Sequence, residues 1–318
     1  MHYLGIEIGG TKLQLGIGPG DGTLAGLWRG TVDVAAGPEG IRRQIIAAVP
    51  ELLAKCSLVK SELKGVGIGF GGPVDDATHM VIKSHQIEGW DNFPLADWIS
   101  DLVGLPAVLG NDADCGGLAE ALFGAGKGLS PIFYITIGSG IGGGLIINGE
   151  IYRGCGRGAA EIGHLRIPNL TGYTRYILEE LSSGWGLQNR VRKFMGMAEG
   201  KWAEVLIAHA KGREITVPLI LEAADLGDAV CITMLNEARE ALAEGLGHVI
   251  ALLCPKRIVI GGGVSLMGEE LLFTPLRRLV AERVFKPFAN CYEIVPAVLG
   301  EEVVVHGALA LARKRLSS

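Results

Sequence analysis

Two widely separated stretches of the chain share one pattern: apolar residues at every second position, interrupted by a glycine turn and then resumed. Leu4-Gly5-Ile6-Glu7-Ile8-Gly9-Gly10-Thr11-Lys12-Leu13-Gln14-Leu15-Gly16-Ile17 reads as strand, glycine turn, strand, because the alternation restarts directly after Lys12. A Rossmann turn is excluded, since it needs a helix after its glycines. The segment 131–160 repeats the pattern, with a strand over 132–137, the turn Gly138-Ser139-Gly140-Ile141-Gly142-Gly143, a strand Leu145-Ile146-Ile147 and a turn Asn148-Gly149-Glu150. The spacing marks an internal duplication of two βββαβα-like halves, with paired glycine hairpins framing one interlobe cleft. The formal GxGxxG matches at Gly67/Gly69/Gly72 and Gly138/Gly140/Gly143 are followed by turn or strand and are not dinucleotide fingerprints.

Between the repeats, Gly18-Pro19-Gly20-Asp21-Gly22 is a turn and 24–34 a third strand. Ile41, Ile45, Ala48, Leu52 and Leu53 have helical spacing over 38–56, with Pro50 expected to kink or break that helix. Val66-Gly67-Ile68-Gly69-Phe70 is a buried strand ending in the turn Gly71-Gly72-Pro73-Val74-Asp75, 93–103 an amphipathic helix, and Ala107-Val108-Leu109 a strand. Beyond residue 172 the pattern turns helical, with helices over 174–182, 185–196, 201–211 and 216–225, and a long one over 228–253 closed by Pro255. A strand (257–260), the turn Gly261-Gly262-Gly263, a helix (268–283), a strand (292–298) and a helix (300–315) complete the chain. The expected division is a smaller domain of 1–115 plus 303–318 and a larger one of 116–302.

Composition narrows the class. The 318 residues suffice for two domains, and 48% hydrophobic with 20% charged residues describes an ordered chain. The 49 glycines are about twice ordinary usage and cluster between apolar strands, which points to tight turns and close backbone approach to a ligand. A net charge of −5 without a basic stripe speaks against nucleic acid. No apolar run reaches membrane-spanning length, and Met1-His2-Tyr3-Leu4 leads straight into a strand, so neither membrane nor signal peptide is expected. Six cysteines without ligand spacing suit reduced thiols in the cytoplasm. The stripe Val230, Ile232, Leu235, Leu242, Leu246 and Ile250 exceeds what one core obviously needs and predicts a homodimer.

Candidate chemistry centres on Asn111-Asp112, where an apolar strand ends and a helix-compatible run begins. Open α/β folds place ligands at such carboxyl edges, so Asp112 is a candidate general base; alternatively Asn111 or Asp112 only caps the helix. The hairpins Gly9-Gly10-Thr11 and Gly138-Ser139-Gly140 offer backbone N–H groups and hydroxyls to an anionic ligand. Lys12 either adds charge for a phosphate or is a solvated hairpin lysine. Glu7, in an apolar strand, needs a partner, for which a hydrated Mg²⁺ is a candidate. Glu161, His164 and Glu179 are groups that hold a polyhydroxylated substrate.

These residues carry a family resemblance. Gly5-Ile6-Glu7-Ile8-Gly9-Gly10-Thr11-Lys12, Gly69-Phe70-Gly71-Gly72-Pro73, Asn111-Asp112-Ala113, Ile137-Gly138-Ser139-Gly140-Ile141-Gly142-Gly143-Gly144, Glu161-Ile162-Gly163-His164 and Gly261-Gly262-Gly263-Val264 resemble a sugar kinase of the ROK family (repressors, open reading frames, kinases), nearly end to end. The resemblance implies a two-lobed ribonuclease H-like, actin-like ATPase fold and ATP- and Mg²⁺-dependent phosphorylation of a hexose, glucose to glucose 6-phosphate first, with Asp112 as general base. It implies that Gly72, Asn111, Asp112, Glu161, His164 and Glu179 bind sugar, that Gly9, Gly10, Thr11, Lys12, Gly138, Ser139 and Gly140 bind the triphosphate, and that Gly262, Gly263 and Val264 lie by the adenine. Fructose, an N-acetylhexosamine, a polyphosphate donor or a non-catalytic sugar sensor are the alternatives; repressor relatives carry an N-terminal helix-turn-helix, for which strand one leaves no room. Three departures stand out. Glu7 replaces the family's usual Asp, the loop His85-Gln86-Ile87-Glu88-Gly89-Trp90 lacks the usual Asn, and 170–179 lacks the CxCGxxGC zinc run, so no zinc is expected.

Overall fold

The computed structural model describes residues 1–75, 77–84, 87–168, 175–197 and 203–317. Its core is one strand pattern used twice. In the first five-stranded sheet, β1 (His2–Ile8), β2 (Lys12–Gly18) and β3 (Gly26–Thr31) form an antiparallel meander, and after helix α1 (Gly37–Lys55) strand β4 (Leu63–Phe70) pairs parallel with β1. A small hairpin, β5 (Val74–Asp75) and β6 (Met80–Val81), precedes α2 (Leu95–Val103); then β7 (Ala107–Asn111) adds parallel to β4 and runs into α3 (Asp112–Phe123). The order is β3-β2-β1-β4-β7. The second sheet repeats it as β10-β9-β8-β13-β14, from β8 (Ile132–Ile137), β9 (Ile141–Ile147), β10 (Glu150–Ile151), β13 (Arg257–Gly261) and β14 (Glu293–Pro296). The antiparallel β9–β10 and parallel β13–β14 pairs match their counterparts, as a duplicated unit requires.

Inserted in the second repeat are the two-stranded β11 (Arg166–Pro168) and β12 (Arg175–Ile177) and helices α4 (Leu178–Ser182), α5 (Gly184–Met197), α6 (Glu204–Ala210), α7 (Val217–Asp225) and α8 (Ala229–Leu253). Helix α9 (Thr274–Arg283), entered through a π-helical turn Glu269–Phe273, and α10 (Val303–Leu316) complete the chain. Two compact units result: Met1–Tyr134 with Gly143–Ala160 and Ala297–Ser318, and Ile135–Gly142 with Glu161–Pro296. The division expected from the sequence fell instead at 115/116 and 302/303.

In the first unit, β1 and β2 are buried beyond their first residue, and glycine decides what lies on them. A Cβ on Gly67 would sit 1.8 Å from the Ala308 carbonyl oxygen, and one on Gly16 2.5 Å from Val305, so these strand glycines are the bed of α10. Gly307 returns the favour toward α3, where a Cβ would lie 1.9 Å from the Cys115 carbonyl. Part of the glycine excess therefore serves helix packing and not ligand loops.

Several sequence expectations are corrected. Pro50 does not break α1, because it lies on the exposed side of the helix and the carbonyl it leaves unpaired belongs to exposed Ile46. Ile141, Gly142 and Gly143 are strand residues of β9, leaving only Gly138-Ser139-Gly140 as the turn. The helix expected over 174–182 begins at Leu178, after β12. The α8 stripe is core within its own unit: Val230, Leu235, Leu242, Leu246 and Ile250 are at most 5% exposed, and Ile232 is exposed. That removes the ground for expecting a homodimer. His85, Gln86 and 170–174, which carried the other two departures from the family pattern, lie outside the described residues.

Candidate functional site

In the first unit, the chemistry of the Asn111-Asp112 corner is divided by hydrogen bonding. Asn111 is the N-cap of α3, its Oδ1 accepting from the Ala113 and Asp114 amides at 2.9 and 3.2 Å. Its Nδ2 donates to the Gly72 carbonyl at 3.0 Å, which ties the corner to the Gly71-Gly72 turn. Asp112 is the first helical residue; its Oδ1 also accepts from Ala113, while Oδ2 lies 3.5 Å from where a Cβ on Gly71 would stand. Gly71 in turn donates to the Ile8 carbonyl at 2.9 Å, and its missing side chain faces Gly9 as well. Capping thus falls chiefly to Asn111, and one carboxylate oxygen of Asp112 lies beside Gly71, whose amide bonds the Ile8 carbonyl just before the first glycine hairpin.

That hairpin is closed by the Gly9 amide donating to the Lys12 carbonyl at 3.0 Å, with Thr11 exposed at its tip and Gly10 beside it. Glu7 has its partner inside the protein. Lys12 Nζ pairs with Oε1 at 3.1 Å and Gln14 Nε2 donates to Oε2 at 2.9 Å; the same two side chains also donate to the Glu301 carbonyl. Burial still outweighs Lys12, and the Asp112 charge adds to it, so the Glu7 carboxyl is pushed up to about 7. With both oxygens engaged, Glu7 does not fit as a direct metal ligand. Among the described residues no group of three or more His, Cys, Asp or Glu is arranged to hold a metal ion. Lys12, 41% exposed, is ion-paired with Glu7 at the base of the hairpin. Gln14 was missed by sequence reasoning, although the hairpin register places it directly opposite Glu7 and so signals a buried polar pair.

In the second unit, one residue, Ile141, is the hub. Its amide donates to Glu179 Oε2 at 2.7 Å, and its carbonyl would lie 2.2 Å from a Cβ on Gly163, the glycine inside the 3₁₀ turn Ile162–His164. Glu161 stands at the N-cap position of that turn, and the His164 amide donates to the Glu161 carbonyl at 3.1 Å. In a 3₁₀ turn residues three apart eclipse, so Glu161 and His164, both exposed, share one face. Glu179 is packed so tightly against Gly140 that a Cβ there would be 2.5 Å from its carboxylate; it therefore braces the second hairpin. Gly184 and Trp185 complete the brace by donating to the Gly138 and Ser139 carbonyls at 2.8 and 3.2 Å. Ser139 stands exposed at the tip. Gly262, with φ +82°, fits against Ile137 at the hairpin base, where any side chain would meet backbone at 2.6 Å, and leads into Gly263 and Val264.

The sequence-predicted residues therefore gather as two sets, Glu7, Gly9 to Lys12, Gly72, Asn111 and Asp112 in one unit, and Gly138 to Gly140, Glu161, His164, Glu179 and Gly262 to Val264 in the other. A family model for the ROK family matches residues 3–315. The chain is 31% identical to a glucokinase of Thermotoga maritima, covering 99% of this chain and 98% of that one, and 33% identical to a glucokinase of Streptomyces coelicolor, covering 98% and 97%. Among solved structures it is similar to a ROK family glucokinase of Streptomyces griseus in complex with glucose and AMPPNP, with a TM-score of 0.78, 31% identity, and 99% and 100% of the two chains covered.

Proposed function

The chain belongs to the ROK family, and from that membership we propose that it is an ATP-dependent hexose kinase with glucose as its first substrate and Asp112 as general base. The observation that carries the reading is the division of labour at the α3 N-terminus, where Asn111 does the capping and Asp112 Oδ2 lies beside Gly71. The glucokinase relatives and the glucose complex of the similar structure support the sugar, and the AMPPNP in that complex supports the donor.

In the proposed reaction a sugar hydroxyl oxygen bonds to the γ-phosphorus of ATP, the bond from that phosphorus to the β,γ-bridging oxygen breaks, and ADP leaves. Asp112 accepts the hydroxyl proton as the new bond forms. The Gly9 to Lys12 and Gly138 to Gly140 hairpins hold the phosphates with backbone N–H groups and the Thr11 and Ser139 hydroxyls, and Gly262 to Val264 face the adenine. Asn111, the Gly72 turn, Glu161 and His164 hold the sugar hydroxyls; Glu179 acts through the hairpin it braces. A Mg²⁺ carried by the nucleotide would supply neutralisation of phosphate charge when bound.

A Mg-ATP assay across glucose, fructose, mannose, N-acetylglucosamine and N-acetylmannosamine, repeated with polyphosphate, tests the reading. Glucose is expected to give the highest kcat/KM with ATP. Phosphorylation of another sugar in preference to glucose corrects the substrate, and binding without phosphorylation of any sugar replaces the enzyme by a sugar sensor.

A further inference from the structure

Beneath the N-terminus of α3 lies a charged pair that the proposed reaction does not use. Asp114, third residue of the helix, has a side chain only 2% exposed, and its carboxylate is ion-paired with Nη1 of Arg153, itself 11% exposed. A well-packed apolar pair of similar volume at such a place is commonly as stable or more so, because desolvating two charges offsets their attraction. Its distinguishing property is geometric. The second terminal nitrogen of Arg153, Nη2, donates to the Val74 carbonyl at 2.9 Å. Val74 closes the turn whose Gly72 carbonyl takes the Asn111 amide at 3.0 Å. The turn is thus fastened to α3 at two points, through Asn111 just before Asp112 and through Asp114 just after it. The planar guanidinium fork makes both bonds of Arg153 at fixed angles, which a lysine ammonium does not reproduce. Arg157, from the same loop, reaches Asp75 at 3.4 Å but is 72% exposed and adds little.

We infer that Arg153 is a positioning residue for phosphoryl transfer: through Asp114 and the Val74 carbonyl it fixes the Asn111-Asp112 corner against the Gly71 to Val74 turn, so that the Asp112 carboxylate meets the sugar hydroxyl in line. The inference rests on the kinase reading. A displacement of about 1 Å in such a corner costs on the order of 100-fold in rate. The test uses the full chain with Arg153→Lys, which keeps the charge opposite Asp114, and with the double variant Arg153→Met/Asp114→Leu, which removes both charges from the interior. Each is followed by thermal melts, steady-state kinetics and calorimetric titration with the accepted sugar.

A folded variant of either kind is expected to lose about 10- to 100-fold in kcat and to bind sugar more weakly. The KM for ATP is expected to stay within about twofold, because both bonds of Arg153 lead to the Asn111-Asp112 corner. Wild-type kcat and sugar KM in either folded variant would overturn the inference, and so would a failure of both variants to fold, which assigns the pair to stability alone. A wild-type chain that binds sugar but phosphorylates none overturns the kinase reading and this inference with it, whereas a wild-type chain that phosphorylates sugar no better than the folded variants overturns this inference alone.

Discussion

At the scale of single residues, Asp112→Asn separates base from cap. Asparagine keeps the size and the oxygen that accepts from Ala113 but holds no proton taken from substrate, and Asn111 still caps α3. Sugar binding is expected to persist while kcat falls by about 10²- to 10⁴-fold, the usual worth of a general base; unchanged turnover at unchanged affinity would return Asp112 to capping. Glu7 makes a prediction of opposite character. Its carboxyl, raised from 4.5 to about 7 by burial, binds its proton more tightly in the folded chain than in the unfolded one. The stability this contributes is fully present below about pH 4.5 and is lost as the pH rises through 7. Glu7→Gln removes the titration and keeps a group that can bond to Gln14. Between pH 4.5 and 8 the variant should therefore gain on the order of 3 kcal/mol relative to wild type in urea melts, and parallel pH profiles would refute it. The candidate base was legible in the sequence from the strand end and the helix start. The partners of Glu7 were not, because alternation reports which face a side chain takes and not which cross-strand neighbour meets it.

At the scale of elements, the junction of α3 with α10 is one of the most exacting contacts in the first unit. A Cβ on Gly307 would stand 1.9 Å from the Cys115 carbonyl oxygen, which is backbone and cannot swing aside. Gly307→Ala should destabilise the protein by about 1–3 kcal/mol through overpacking and also lower kcat, since α3 carries Asn111 and Asp112 on its first turn. Gly263→Ala is the control, because nothing lies within 4 Å of its Cβ position, and its stability should stay within about 0.5 kcal/mol of wild type. Equal melting temperatures for the two variants would remove α10 from the support of the site. Strands of five residues or more and the long helix α8 were legible from periodicity. The hairpins β5–β6 and β11–β12 were not, since two or three residues carry no period. Gly142 and Gly143 misled as turn residues, being strand residues of β9; their neighbour Gly144 shows what such smallness can serve, since a Cβ there would strike the Ala113 carbonyl at 2.8 Å where α3 approaches.

At the scale of the molecule, the duplication was legible because each repeat opens with the same strand-glycine-strand signature, and both sheets adopt the same order. The unit boundaries were not, since two of the four run inside β8 and β9, where the apolar pattern is continuous. The stripe on α8 failed as a sign of association for a similar reason: a helix buried in its own unit shows the same periodicity as one that waits for a partner. Metal dependence is the remaining property of the whole chain that the sequence addresses. A structural zinc site takes about four thiolate or imidazole ligands. The six cysteines of this chain lie at positions 56, 115, 155, 231, 254 and 291, none within the 170–179 segment where the family's zinc run is expected, and His164 is one ligand at most. Fold and site should then be indifferent to zinc while the reaction needs Mg²⁺ with its nucleotide. Exhaustive chelation is expected to leave circular dichroism and melting temperature unchanged and to abolish activity, with Mg²⁺ alone restoring it. Stoichiometric zinc by elemental analysis, with loss of structure when it is removed, would show that other residues have taken over the ligand role of the missing cysteines.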